Sequence, residues 1–170
     1  DSTSPRFCVW SSGARLGIGL LAVPLAKLLF IPNYIFNFLT TLVHEIGHSL
    51  AAWLMGMPSI PTVSVAGGGV AVWQEQVPLL VVALVVAQLY LIFLNRRDLG
   101  TCAILNGILI AYNLMAWTKG AVIFATAGGM LLEVIGAGVC FVVCLGVRLE
   151  HSVERPLYAL WGWWMLMILV

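Results

Sequence analysis

VPLLVVALVVAQLYLIFL, residues 77–94, runs for 18 positions without a charged side chain. A run of this kind reads as a helix rising about 1.5 Å per residue through a hydrocarbon core about 30 Å thick. Lipid offers no partner for a backbone N–H or C=O, and a helix satisfies its own. The polar NRRDLG at 95–100 ends the run, and further apolar stretches lie on both sides of it.

The rest of the chain has the same character. Of its 170 residues 62% are hydrophobic and 9% charged, against about 45–50% and 25% in soluble domains. Apolar runs at 16–31, 33–56, 77–94, 102–117, 121–147 and 157–170 predict an all-α integral membrane protein, a bundle of about six transmembrane helices forming one domain over 1–170. The expected location is a cell membrane, crossed several times. No charged leader followed by a short apolar core and a cleavage site precedes the first run, so no removable signal peptide is expected.

The breaks carry information too. IPN at 31–33 is expected to separate the first two helices, and Gly56 to cap the second. Between 57 and 76, β-branched residues flank Gly67, Gly68 and Gly69, which predicts a β-hairpin or extended insertion. A continuous helix over 121–147 would exceed the hydrocarbon core, so Gly128 and Gly129 are expected to break it. Trp161, Trp163 and Trp164 suit an interfacial belt, and Asn106 with Asn113, seven residues apart, are expected to face inward.

Net charge is +1 and the longest charged run is RRD at 96–98, which gives nucleic acid nothing to bind. Cys8, Cys102, Cys140 and Cys144 show no CxxC spacing and form no recognisable disulfide or zinc framework. Arg96, Arg97, Arg148 and Arg155 would lie on one side of a six-span bundle and Arg6, Arg15 and Lys119 on the other, too small a bias to fix orientation.

Against this background TLVHEIGHSL at 41–50 stands out. In a helix His44 and His48 project from one face and can hold one zinc ion. Glu45 beside them can take a proton from a metal-bound water, whose pKa zinc lowers to about 7, and return it to a leaving amine. The competing account makes the histidines neutral groups bonded to neighbouring helices. Charged groups inside a span cost about 2.5–3.5 kcal/mol each on insertion scales, which favours a functional role.

The longer stretch HEIGHSLAAWLMG, carrying His44, Glu45, Gly47, His48, Ala52 and Gly56, resembles the metal-binding helix of the site-2 protease family of intramembrane zinc metalloproteases. The glycine-bearing segment that follows is similar to the β-structured insertion of that family. The likeness covers residues 33–76. It implies a zinc-dependent endopeptidase with one Zn2+ per chain, His44 and His48 as ligands, Glu45 as general base, and a membrane-bound protein or peptide as substrate. The family's third ligand is an aspartate in a DG pair, and this chain has none; its one later aspartate is Asp98.

A catalytic zinc takes three protein ligands and leaves a fourth position open. Glu133, in AGGMLLEVIGAG, is the favoured third ligand, as the one other acidic residue deep in an apolar run, where the glycines let another helix or the metal approach closely. His151, Asp98 and the Cys140–Cys144 pair are weighed behind it. Two other functions stay open at this level: a non-proteolytic membrane protein using the helix for metal or partner binding, and a zinc hydrolase of a lipid or small amide.

Overall fold

The computed structural model describes residues 12–64, 68–145 and 154–168. Six helices and one small sheet occur among them: α1 (Ser12–Leu28), α2 (Phe30–Leu54), β1 (Ser59–Val63), β2 (Gly69–Trp73), α3 (Pro78–Leu94), α4 (Leu99–Ala116), α5 (Gly120–Leu145) and α6 (Arg155–Ile168). Helices α4 and α5 are each long and apolar enough to cross a membrane. Helices α1 and α2 meet that test together as a pair bent by 110°, while α3 is a shorter apolar helix. Leu21, Leu79, Ile104, Ile123 and Val142 all point outward and are more than half exposed. Side chains of that size on the outer surface suit hydrocarbon better than water.

Several boundaries differ from expectation for physical reasons. The break between α1 and α2 falls at Leu29, and IPN begins α2 instead of interrupting the chain. Pro32 lies in the first turn, where its missing N–H has no intrahelical acceptor to lose. Helix α5 runs unbroken through Gly128 and Gly129. Those glycines serve close helix approach: a methyl group at Gly128 would stand 2.5 Å from Ala51 Cβ and 2.5 Å from the Gly47 carbonyl oxygen on α2.

Gly56 does cap α2. Its φ is +76°, its N–H donates to the Trp53 carbonyl at 3.0 Å, and the Met57 N–H donates to that of Ala52 at 2.9 Å. This is a Schellman motif, which needs a left-handed residue at that point. A methyl there would also meet Val81 Cγ2 at 2.5 Å. Gly56→Ala is therefore expected to lower stability by about 1–2 kcal/mol from the backbone alone, measurable by chemical unfolding in micelles.

The chain divides into two compact units, Asp1–Thr40 with Glu133–Val170, and Thr41–Leu132. In the first, α1 packs on α6 around Val23, Ala26, Leu160 and Trp164. Two of the three tryptophans are held between helices here. Trp164 is wholly buried, with its ring 5.2 Å from that of Phe36 and its indole N–H donating to Asn37 Oδ1 at 3.2 Å. Trp163 donates to the Leu16 carbonyl at 3.2 Å. Both indoles find polar partners between helices, so they need no membrane interface.

The second unit has a core of Ala52, Met55, Met57, Val81, Tyr112, Ala116, Ala121 and Ala125. The Gln76 side-chain amide donates to the carbonyls of Met55 and Ala116, both at 2.7 Å, which satisfies acceptors at the ends of α2 and α4. Asp98 caps α4. Hydrogen bonds from the Thr101 hydroxyl, the Thr101 N–H and the Gly100 N–H hold its carboxyl below the usual 3.8. Asn106 and Asn113 do not bridge helices: each donates to the carbonyl four residues earlier on α4, and Asn106 is exposed.

The insertion after α2 is the expected hairpin. Strands β1 and β2 are antiparallel, with Ser59 opposite Trp73, Pro61 opposite Ala71 and Val63 opposite Gly69. The Ser64 N–H donates to the Gly68 carbonyl and the Gln74 N–H to that of Pro58, which places the hydrogen-bonded pairs on the even positions of both strands. The backbone groups of Gly69, Ala71 and Trp73 therefore point to the outer edge of β2. On the outer edge of β1, Pro61 supplies no N–H, and the Ser59 carbonyl already accepts from the Trp53 indole at 2.8 Å.

Candidate metal centre on the HEIGH helix

All three side chains of the motif lie in the second unit, on α2. The His44 and His48 Nε2 atoms approach to 2.9 Å with the rings nearly perpendicular, at 83°. His48 Nδ1 stands 2.9 Å from the Ala125 carbonyl oxygen on α5. A carbonyl only accepts, so Nδ1 carries the proton, and in the neutral ring Nε2 presents its lone pair to His44. Two nitrogens this close require a proton or a cation between them. Tetrahedral zinc with bonds of about 2.0–2.1 Å sets its ligand nitrogens about 3.3 Å apart, close to the separation here.

Beside the two rings lies Gly129. A methyl at this position would stand 2.6 Å from His48 Nε2 and 2.8 Å from His44 Nε2. The position of that Cβ is open beside both nitrogens, and the two imidazoles are donors of a type that zinc accepts. The Ala125 carbonyl adds the outer partner that commonly fixes the tautomer of a ligating histidine.

Glu45 is 6% exposed and lies under the hairpin. A methyl at Gly69 would meet its Cγ at 2.5 Å and Thr41 Cγ2 at 2.9 Å. Further along β2 the Trp73 ring centroid is 6.5 Å from that of His48. The inner face of β2, carrying Gly69, Ala71 and Trp73, thus passes from the glutamate to the second histidine. The buried Ser59 hydroxyl, donating to that of Ser49 at 3.1 Å, ties the root of the hairpin to the same helix.

Glu133 is 2% exposed on α5, one turn beyond Gly129, in the first unit. Among the described residues no group of three or more His, Cys, Asp or Glu side chains is gathered in a form able to hold a metal ion. His151 lies outside the described residues. The oxygens of Asp98 serve the α4 cap, and Cys140 and Cys144 are buried free thiols in α5. Ala125, Gly69 and Trp73 were not among the residues expected at the site, whereas Gly129 belongs to the glycines expected to admit a helix or the metal. Their sequence signal is the match of small residues, Gly47 and Ala51 on α2 with Gly128 and Gly129 on α5.

Compared with protein-family models, curated proteins and solved structures, the chain matches none of them.

Proposed function

We propose that the protein is a zinc-dependent intramembrane endopeptidase with its six helices embedded in the bilayer as a polytopic bundle, hydrolysing peptide bonds of a membrane-bound protein or peptide. The observation that carries this reading is the convergence of the His44 and His48 Nε2 atoms beside Gly129, next to a buried glutamate. His44 and His48 would hold the ion. Glu133 is proposed to complete the set, as the one other acidic residue deep in an apolar run. Bound zinc would polarise the scissile carbonyl and acidify water.

The rest of the chemistry falls to the chain. Glu45, desolvated beneath the hairpin, takes a proton from the attacking water as its oxygen bonds to the carbonyl carbon. The same carboxyl then delivers that proton to the leaving nitrogen as the C–N bond breaks. Ala125 holds His48 in the tautomer that keeps Nε2 unprotonated. Covering by Gly69 limits access of bulk water, which strengthens electrostatic interactions at the site.

A helical amide is shielded, so the substrate must unwind, and the proposed docking element is the outer edge of β2. Ala71→Pro removes an edge donor there without touching the β1–β2 ladder. Cleavage of a helical substrate is expected to fall at least tenfold while the hairpin persists by amide exchange; unchanged cleavage would end the strand-pairing proposal.

Metal content tests the ligand set. Wild-type protein is expected to carry about one zinc per chain, His44→Ala almost none, and Glu133→Gln at least tenfold weaker binding. Full zinc in Glu133→Gln would remove Glu133 from the set, and no zinc in the wild type would remove the enzyme reading. A metal-binding protein without hydrolysis would hold zinc and cleave nothing.

A further inference from the structure

We infer that the hollow beyond Trp73 is the pocket that selects the substrate, and that it takes one bulky apolar side chain near the scissile bond. The inference rests on the proposed hydrolysis and deepens it. The hollow measures about 400 Å³ and is walled by Met57, Trp73, Ala121 and Val122, with Glu75 and Thr118 among the polar residues lining it. Trp73 is a shared wall, because its ring also lies against His48.

Three features define the occupant. Four of the eight lining residues, Met57, Trp73, Ala121 and Val122, are apolar, and they favour burial of a hydrocarbon or aromatic side chain at about 25 cal/mol per Å². The volume exceeds one large side chain and leaves the opening free for the backbone that carries it. Position supplies the third. Cross-strand partners share a face, so a substrate residue paired with Trp73 on the β2 edge would put its side chain on Trp73's own face, the one that meets His48 and the hollow. Trp73 itself stands beside His48, so that residue also lies next to the histidine pair. Selection would therefore act at a fixed offset from the cut.

Substrates for the test are single-span helices of alanine and leucine, each with Phe, Leu, Ala, Lys or Glu at one position of an unwound segment, incubated with full-length protein in micelles. Products are mapped by mass spectrometry. Wild type is expected to cut substrates with Phe or Leu at one fixed offset at least tenfold faster, by kcat/KM, than those with Ala, Lys or Glu there. Val122 is half exposed, so the surface absorbs changes at this position. Val122→Trp should reduce the Phe-to-Ala ratio at that offset, and Val122→Ala should raise it. Opposite shifts in a ratio cannot come from loss of folded protein. Glu45-dependent cleavage without an offset preference, or with a ratio unmoved in both variants, overturns the pocket and leaves hydrolysis standing. No cleavage of any substrate by zinc-loaded wild type overturns both.

Discussion

Glu45→Gln should retain zinc at about one ion per chain and lose peptide hydrolysis by about 10²–10⁴-fold, the usual contribution of a positioned general base. Glutamine keeps the shape of the side chain, so its stem still packs beneath Gly69. What it lacks is the ability to take up a proton. The atoms that converge are the two imidazole nitrogens, and the carboxylate is not needed to hold them together. Metal analysis and substrate cleavage on one preparation separate the outcomes. Unchanged cleavage would sink the hydrolytic reading, and loss of zinc would make Glu45 a ligand instead of a base.

Sequence and structure agree best where one local rule decides. The hairpin was legible because β-branched residues on either side of glycine favour paired strands. Gly56 was legible as a cap because a glycine closing an apolar helix has one common use. Gly128 and Gly129 were legible only in part, as glycines that admit a close neighbour but not as part of an unbroken helix. In the sequence they resemble a break in an overlong run; the reason for them is the backbone of α2, which approaches through Gly47 and Ala51 and is visible only once the helices pack. Trp164 follows the same logic: composition suggests a membrane interface, while Asn37 and Phe36, more than a hundred residues earlier, account for its burial.

The histidine pair shows both behaviours. Its four-residue spacing predicted a shared face, and the rings do converge. Nothing in the spacing indicated which nitrogen would carry the proton. The Ala125 carbonyl decides that, from a helix 77 residues away in sequence.

Gly129→Ala is expected to cut zinc affinity by about ten- to a hundredfold. The added methyl would stand 2.6 Å from His48 Nε2 and 2.8 Å from His44 Nε2, where it would crowd an ion held by both. Either the rings move apart and lose their common focus, or the methyl takes the ion's place. Helix propensity acts in the opposite direction, since alanine is favoured over glycine in a helix interior by about 1 kcal/mol. Loss of metal therefore could not be ascribed to a frayed α5. Gly138 lies on the same helix with nothing within 4 Å of the position its Cβ would take, so Gly138→Ala receives the same propensity gain and should bind zinc as wild type does. Competition of each variant against a zinc chelator, with unfolding followed in parallel, makes the comparison. Wild-type affinity in Gly129→Ala would mean that the ion does not lie between the two Nε2 atoms, and the pair would revert to an N–H···N hydrogen bond inside a packed helix.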